Sequence, residues 1–250
     1  MTNSLIDYTL HLADNTLILA QRNSEWCAHG PILEQDIAIT NISLDLIGQA
    51  RNFYQYAAQL KGGRATEDSL AYLRDVREFK NCLLVEQPNG DWAQTIVRQF
   101  FFSAYQQLLY EQLQHSKDEQ LAAIAAKALK EVNYHLRWSS EWVIRLGDGT
   151  EESKNRMIKS IDELWRYTGE LFKAAGFESA LVKNGTSVDP AALKDGWYKK
   201  INEIFAGATL SVPEKKFMQT GGKEGIHSEH LGYILADLQF MQRAYPNSEW

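Results

Sequence analysis

Hydrophobic periodicity of the helical type runs through almost the whole chain, and only short polar or glycine-containing turns interrupt it. The helical segments between these turns reach about 25 residues or more, whereas the average globular helix has about 11–12 residues. No segment shows the sustained apolar–polar alternation of a half-buried strand. Short connections between long amphipathic helices make those helices antiparallel neighbours. The sequence therefore predicts an all-α long-helix bundle that forms a single domain over residues 1–250.

Capping residues, prolines and glycines set the predicted helix boundaries. Pro31 suits the first turn of the second helix, and Gly62 with Gly63 ends that helix. The predicted helices cover residues 4–22, 31–60, 66–84, 91–115, 118–147, 150–176, 189–205 and 228–245. Residues 212–225 are predicted to form a loop before the last helix.

Composition and charge exclude several classes of protein. The formal net charge of −6 argues against nucleic acid as a partner, because nucleic acid selects a basic surface. No stretch approaches the ~20 apolar residues of a membrane span, and Asp7, His11 and Asp14 interrupt any signal peptide. Cys27 and Cys82 form no paired motif, so both are expected as reduced, buried thiols. We expect a cytoplasmic protein that binds neither nucleic acid nor membrane.

A line of polar side chains follows the second predicted helix, whose residues 37–50 are otherwise mostly apolar. Asn41, Asp45, Gln49 and Asn52 are separated by four, four and three residues, which puts them on one face of the helix. A helix that is apolar almost all round is expected to be buried. A buried carboxylate must be ion-paired, bound to metal or protonated, so Asp45 is expected to face a partner.

The fifth predicted helix carries a similar line, which includes Lys127, Glu131 and Tyr134. Di-iron carboxylate proteins build their metal centre from inward-facing Glu residues and Glu-x-x-His pairs on the bundle helices. Here Gly48 follows Asp45 by three residues and Tyr134 follows Glu131 by three, where each pair requires His. These four positions are degenerate metal-site positions, and we predict no metal in this chain. The expected structure is a charge-paired polar core with Lys127 as the cation for Glu131 or Asp45, and a di-iron centre is the alternative.

Three further segments each allow two interpretations. Residues 221–225 either bind phosphate or form a tight glycine loop that packs on a partner. Residues 227–230 contain two His at a spacing that suits either a metal ion or the polar start of a helix. Residues 74–81 combine cations, an aromatic ring and an amide, which fits either a solvated helix end or contact with an anionic coenzyme A ester.

Four segments, in the same order along the chain, resemble the C-subunit family of the phenylacetyl-CoA epoxidases. They are residues 45–53, 84–90, 126–137 and 220–232, with the sequences DLIGQARNF, LVEQPNG, AKALKEVNYHLR and TGGKEGIHSEHLG. The resemblance extends from Tyr8 to Trp250. It implies a ferritin-like fold, in agreement with the predicted bundle.

The resemblance also implies a role in a multicomponent bacterial monooxygenase. Such an enzyme converts phenylacetyl-CoA, O2 and NADPH to the ring 1,2-epoxide during aerobic phenylacetate degradation. Its A subunit is catalytic and carries the di-iron centre, and its C subunit is a metal-free structural relative of the A subunit. A reductase subunit with flavin and an iron–sulfur cluster supplies electrons, and small B and D subunits complete the set. This chain is thus expected to be a non-catalytic component of the epoxidase, with no cofactor of its own.

In that family the coenzyme A part of the substrate lies near the partner of the catalytic subunit. The resemblance therefore points to two stretches as substrate contacts, Glu78, Phe79, Lys80 and Asn81 in the first and Ser179, Ala180 and Leu181 in the second. Two other functions remain open from the sequence. One is an autonomous di-iron or ferritin-like oxidase, and the other is a helical adaptor without a redox role.

Overall fold

The computed structural model describes residues 2–214, 216–246 and 248, so Trp250, at the end of the resemblance, lies outside the described residues. Within these ranges the chain forms α-helices, short 3-10 turns and no β-strand, which confirms the predicted all-α class. The α-helices of the described ranges are α1 (Thr2–Ser24), α2 (Leu33–Lys61), α3 (Glu67–Tyr72), α4 (Leu83–Glu86), α5 (Trp92–Leu113), α6 (Glu119–Gly147), α7 (Glu151–Leu164), α8 (Gly176–Val182), α9 (Lys194–Gly207) and α10 (Glu229–Ala244). In this part of the chain, no helix has both the length and the apolar character that crossing a membrane requires.

The prediction of one helix over residues 66–84 is wrong. Helix α3 ends at Tyr72, a 3-10 turn covers Val76–Glu78, and α4 begins at Leu83. The backbone leaves the helical path because its polar groups bind a distant carboxylate. The Lys80 amide donates to Asp14 Oδ2 at 2.8 Å, which a continuing helix would not permit.

The prediction of one helix over residues 150–176 is also wrong. Helix α7 ends at Leu164, and 3-10 turns at Trp165–Tyr167 and Gly169–Phe172 follow it. The Thr168 hydroxyl donates to the Trp165 carbonyl at 2.8 Å and so competes with helical backbone bonding. A Cβ on Gly169 would lie 2.6 Å from Met218 Cγ, so a side chain at this position would displace the loop that packs there.

The described residues group into two compact units. Unit 1 draws on residues 1–88, 175–180 and 221–250, and unit 2 on residues 89–174 and 181–220. Each unit combines segments that are far apart in sequence. The single domain over residues 1–250 stays a prediction.

Unit 1 is built on the pairing of α1 with α2, against which α3, α4 and α10 pack. Helix α1 is buried almost continuously from Tyr8 to Ala20, although this stretch includes His11, Asp14 and Asn15. Polar side chains in a buried helix require hydrogen-bonding partners. These partners come from the irregular segments of unit 1 and form the candidate site.

Unit 2 pairs α5 with α6 and adds α7 and α9. Its core is an aromatic cluster around Trp197, which is fully buried and lies 5.6 Å from the ring of Phe101 and 5.6 Å from that of Trp165. The indole Nε1–H of Trp197 donates to the Phe101 carbonyl at 2.9 Å, so the polar atom of this ring is satisfied inside the core.

Candidate functional site

Asp14, at the middle of α1, binds the segment that follows α3. Its carboxylate is fully buried, and it accepts hydrogen bonds from the Tyr54 hydroxyl at 2.6 Å and from the Lys80 amide at 2.8 Å. The guanidinium of Arg74 binds both carboxylate oxygens, with Nη1 at 3.1 Å from Oδ2. Burial raises the pKa of Tyr54 well above its usual value, so its hydroxyl remains a donor. Asp14 is therefore held as a fully bonded ion pair with Arg74.

His11 and Asn15 lie beside Asp14 on α1 and bind the same segment. His11 Nδ1–H donates to the Lys80 carbonyl at 2.6 Å, and the Asn15 amide donates to His11 Nε2 at 3.2 Å. The Asn15 carbonyl oxygen accepts from the Cys82 amide at 2.8 Å. Burial, reinforced by the positive charge of Lys223, lowers the pKa of His11 to about 4. His11 is thus neutral at pH 7, with its proton on Nδ1.

Glu178, in the first turn of α8, forms a second buried ion pair. Its carboxylate lies 3.0 and 3.2 Å from Lys223 Nζ, and both side chains are almost completely buried. Glu178 also accepts the Ala175 amide at 2.8 Å, so the carboxylate caps the start of α8.

Glu86, at the end of α4, forms a third buried pair. His227 Nδ1–H donates to its carboxylate at 2.8 Å, and Asn81 Nδ2 and the Ser228 amide donate at 2.9 and 2.7 Å. Both side chains of the pair are at most 1% exposed. Burial acts to lower the pKa of His227, but the hydrogen bond and charge of Glu86 outweigh it and raise that pKa.

The three buried carboxylates of unit 1 do not fit a di-iron centre. Asp14, Glu86 and Glu178 are each bonded to a cation from the chain itself, namely Arg74, His227 and Lys223. An iron ion would have to displace that cation and leave it buried without a partner, at several kcal/mol. Consistent with this chemistry, the described residues contain no group of three or more His, Cys, Asp or Glu side chains that could hold a metal ion.

The degenerate metal-site positions of unit 1 lie on the less buried faces of α2. Asp45 is half-buried, Gly48 is exposed, and a Cβ on Gly48 would meet nothing within 4 Å. The expectation that the polar line of α2 is buried is wrong for Asn41, which is exposed, and correct for Gln49. Helix α2 buries only the face that contains Ile39, Ile42, Leu46, Phe53 and Ala57, so its apolar residues elsewhere are exposed.

The corresponding positions of unit 2 lie on α6. Glu131 is half-buried, Tyr134 is 37% exposed, and Lys127 is exposed. The buried polar residue of this turn is His135, one position further along the helix. Lys127 thus lacks the burial expected of a cation that replaces metal charge in a core.

The first predicted substrate stretch begins at the end of the Val76–Glu78 3-10 turn and continues without helix through Asn81, within unit 1. Glu78 is exposed and its carboxylate accepts the Asp75 amide at 2.8 Å. Phe79 is fully buried beneath the Arg74 guanidinium, whose carbon lies 4.1 Å from the ring centroid. Asn81 is fully buried as well, so only Glu78 and Lys80 offer side-chain surface to a ligand.

Lys80 brings the first predicted stretch next to the start of α8. Its ammonium lies 5.6 Å from the centroid of Phe177 and 3.5 Å from Asp7 Oδ1. Ser179 and Ala180 follow in α8 and are exposed. Leu181, the last residue of the second predicted stretch, is buried and belongs to unit 2. Lys80 of the first stretch therefore lies next to Phe177, two residues before the second stretch, within unit 1.

Sequence reasoning misses most of this network. It presents Arg74 and Lys223 only as surface or loop cations, and it does not single out Glu86 or Glu178 at all. Asp14 is the one member of the network that the sequence could reveal, because it lies on the same face as His11 of a mostly apolar helix. Its partners come from residues 40 to 66 positions away, which no local pattern reveals.

Acid should destabilise the protein through His11. The unfolded chain takes up a proton at His11 near pH 6.5, whereas the folded chain does so only near pH 4. Stability is therefore lost as pH falls through this window, by about 3 kcal/mol for this group. We expect His11→Asn, which keeps a donor near the Nδ1 position, to flatten the pH dependence of the unfolding free energy between these values. The unfolding free energy at each pH would come from urea titration. If it changes with pH as steeply in His11→Asn as in the wild type, His11 is not a neutral, buried side chain.

Comparison with known proteins shows the family of this chain. The chain matches the family of phenylacetic acid catabolic proteins over residues 1–250. It is 52% identical over 251 residues to the C subunit of 1,2-phenylacetyl-CoA epoxidase from Escherichia coli (strain K12), and the alignment covers 99% of this chain and 100% of that protein. The chain therefore belongs to the phenylacetic acid catabolic protein family, whose fold is ferritin-like.

Proposed function

We propose that the chain is the non-catalytic C subunit of a phenylacetyl-CoA 1,2-epoxidase and supports a di-iron catalytic A subunit in aerobic phenylacetate degradation. The observation that carries this proposal is that Asp14, Glu86 and Glu178 are each neutralised by a cation of the same chain. The likeness to the Escherichia coli protein supplies the reaction in which such a subunit takes part.

The proposal includes the other components that the resemblance implies. The di-iron centre belongs to the A subunit, and a reductase with flavin and an iron–sulfur cluster supplies the electrons. Small B and D subunits complete the complex, which works in the cytoplasm. The contribution of this chain is then structural, since it holds its partner and part of the coenzyme A ester.

An exposed apolar stripe on α2 supports docking of the A subunit. Leu33, Ile37, Leu44 and Ile47 are 72, 52, 60 and 43% exposed, and their spacing puts them on one face of the helix. Such a continuous exposed apolar face is typical of a protein–protein interface. Gly48 borders the stripe with open space above it, which lets a partner helix approach the α2 backbone closely.

The meeting point of residues 78–81 with α8 supports contact with the acyl-CoA. Lys80 offers a partly exposed ammonium that can pair with a phosphate of coenzyme A. Ser179 and Ala180, which follow Phe177 in α8, are small and exposed, so a ligand can approach the first turns of α8. We place Glu78, Phe79 and Asn81 at the same site, with Phe79 and Asn81 supporting it from beneath, and we retain Leu181 as a contact on the resemblance alone.

Replacement of Leu44 by Lys should break the complex without unfolding the chain. Leu44 is 60% exposed, so a charge there costs little in the free chain. In the complex, the interface would bury the new ammonium without a counter-charge. This should weaken association by about 2 kcal/mol or more, which is roughly thirtyfold in Kd. Co-purification with the A subunit and the Kd by light scattering or calorimetry would measure this.

The matched control is Ile158→Lys, since Ile158 is another exposed apolar residue, on α7 of unit 2. This variant should bind the A subunit as the wild type does, and both variants should melt at the wild-type temperature. Wild-type affinity in Leu44→Lys would exclude the α2 stripe from the interface. Failure of the wild-type chain to bind an A subunit at all would refute the proposed function itself.

A further inference from the structure

Residues 221–228, which we name the clamp segment, pack with their backbone directly on the first substrate stretch. A Cβ on Gly222 would lie 2.3 Å from the Asn81 carbonyl oxygen, and a Cβ on Gly225 would lie 2.3 Å from the Arg77 carbonyl oxygen. Gly225 also has a φ of +78°, which other residues rarely adopt. Of the two interpretations of these glycines, tight packing is thus correct, and the surface they pack on belongs to this chain.

The clamp segment also holds the second substrate stretch. Lys223 Nζ binds Glu178, which accepts the Ala175 amide and so fixes the first turn of α8. Ser179 and Ala180 follow Glu178 directly. The position of their backbone therefore depends on a buried ion pair whose cation comes from the clamp segment.

His227 ties the clamp segment to the middle of the first stretch. Its Nε2 lies 3.0 Å from the Phe79 carbonyl oxygen, while its Nδ1 lies 2.8 Å from the Glu86 carboxylate. A carbonyl oxygen cannot donate, and the carboxylate already accepts from Asn81 and Ser228. Both ring nitrogens must then carry hydrogen, so His227 is an imidazolium that donates in two directions. Both ring nitrogens of His227, the first histidine of the 227–230 pattern, are therefore engaged by a carboxylate and a carbonyl.

The middle of the first stretch is bonded on two sides as a result. From α1, Asp14 accepts the Lys80 amide and His11 donates to the Lys80 carbonyl. From the clamp segment, His227 donates to Phe79. These bonds fix the backbone at the base of the Lys80 side chain, which is the group proposed to pair with phosphate.

We propose that the clamp segment positions both acyl-CoA contact stretches, with His227 and Lys223 as positioning residues for substrate binding by the complex. This inference rests on the proposed function, because it assumes that residues 78–81 and α8 contact the acyl-CoA. It assigns a role to the most glycine-rich motif of the chain.

Two amide variants separate the two donors of His227. His227→Gln places an amide near the position of Nε2 and keeps a donor for the Phe79 carbonyl. His227→Asn places it near Nδ1, keeps a donor for Glu86 and loses the bond to Phe79. Both variants remove the same positive charge beside Glu86, so the electrostatic loss is matched. A purely structural role of the charge would affect both variants equally.

Hydrogen exchange of the isolated variants tests the clamp without any activity assay. We expect the amides of residues 79–81 to lose protection about tenfold more in His227→Asn than in His227→Gln. Equal exchange in the two variants would show that the bond to Phe79 does not hold the stretch.

Turnover of phenylacetyl-CoA by the assembled complex tests the consequence for binding. His227→Asn should raise KM about tenfold at nearly unchanged kcat, and His227→Gln should restore KM to within about twofold of the wild type. Full activity with wild-type KM in both variants would refute the clamp while leaving the proposed function intact. A catalytic subunit that reaches full turnover without this chain would refute the proposed function instead.

The pH dependence of KM provides a readout that a structural role would not produce. The acidic groups that act on His227 are Glu86 of α4 and the more distant Asp14 of α1. The basic groups nearby are Arg22 of α1, which binds the Glu86 carbonyl, and Lys223 of the clamp segment. The raised pKa of His227 means that the imidazolium persists above pH 6.5. As pH rises through the folded-state value the ring loses one of its two N–H donors, and the neutral ring can no longer donate to both Glu86 and Phe79. The wild-type KM should rise in this range, and the KM of both amide variants should stay flat. A flat wild-type profile would contradict the imidazolium.

Discussion

Asp14→Asn should lower the free energy of unfolding by about 3–5 kcal/mol, because it leaves the Arg74 guanidinium buried without its counter-charge. The amide has the size of the carboxylate, so the loss measures the charge and its hydrogen bonds and not a cavity. The Lys80 amide and the Tyr54 hydroxyl lose a charged acceptor in the same step. Chemical denaturation followed by far-ultraviolet circular dichroism would give the value.

Asp45→Asn is the matched control for this prediction. Asp45 lies on the neighbouring helix α2 and is half-buried, so the same change should cost less than about 1 kcal/mol. The sequence alone predicts that Asp45 is the buried and critical carboxylate. Equal losses in the two variants, or a larger loss at Asp45, would show that Asp14 is not the main charge of the unit 1 core.

Trp197→Ala should lower the free energy of unfolding by about 3–5 kcal/mol, because it removes one of the two fully buried tryptophan side chains from the aromatic core of unit 2. The ring is fully buried between Phe101 and Trp165, and its Nε1–H is bonded to the Phe101 carbonyl. Trp197→Phe should lose less, since it retains most of the packing and removes the hydrogen bond.

Tyr134→Ala, on α6 of the same unit, serves as the control for Trp197. Tyr134 is 37% exposed, so its truncation should cost about 1 kcal/mol or less. Differential scanning calorimetry of the three variants would rank them. A Trp197→Ala protein as stable as Tyr134→Ala would contradict the central position of Trp197 in the core.

The long helices are predictable from the sequence because their signal is local. A repeat of apolar residues at helical spacing, closed by glycine or proline, is enough to place α1, α2, α5 and α6 within a few residues of their observed ends. The failures lie at residues 73–82 and 165–175, where side chains and backbone groups bind partners that are remote in sequence.

The buried ion pairs cannot be predicted in the same way. Asp14 pairs with Arg74, Glu178 with Lys223, and Glu86 with His227, across 60, 45 and 141 positions. Only the fold brings these residues together, and nothing in the local pattern around Glu86 or Glu178 distinguishes them from surface carboxylates. The expected type of structure, a charge-paired polar core, is present in unit 1, but with other residues than Asp45 and Lys127.

Helix α2 shows why apolar periodicity overestimates burial. A helix that packs on one side and presents Ile37, Leu44 and Ile47 on another has the same composition as a helix that is buried all round. Exposed apolar faces of this kind are typical of surfaces that require a covering partner. Under the proposed function, that requirement is met by a partner subunit.

Iron content distinguishes a metal-free, charge-paired chain from a di-iron protein. The purified chain would be incubated with Fe(II) under anaerobic conditions, desalted and analysed for iron, alone and after mixing with its catalytic partner. We predict background iron in the chain alone and, in the mixture, no more iron than the partner binds by itself. Binding of about two irons per chain by this protein alone, as in di-iron carboxylate proteins, would contradict the account.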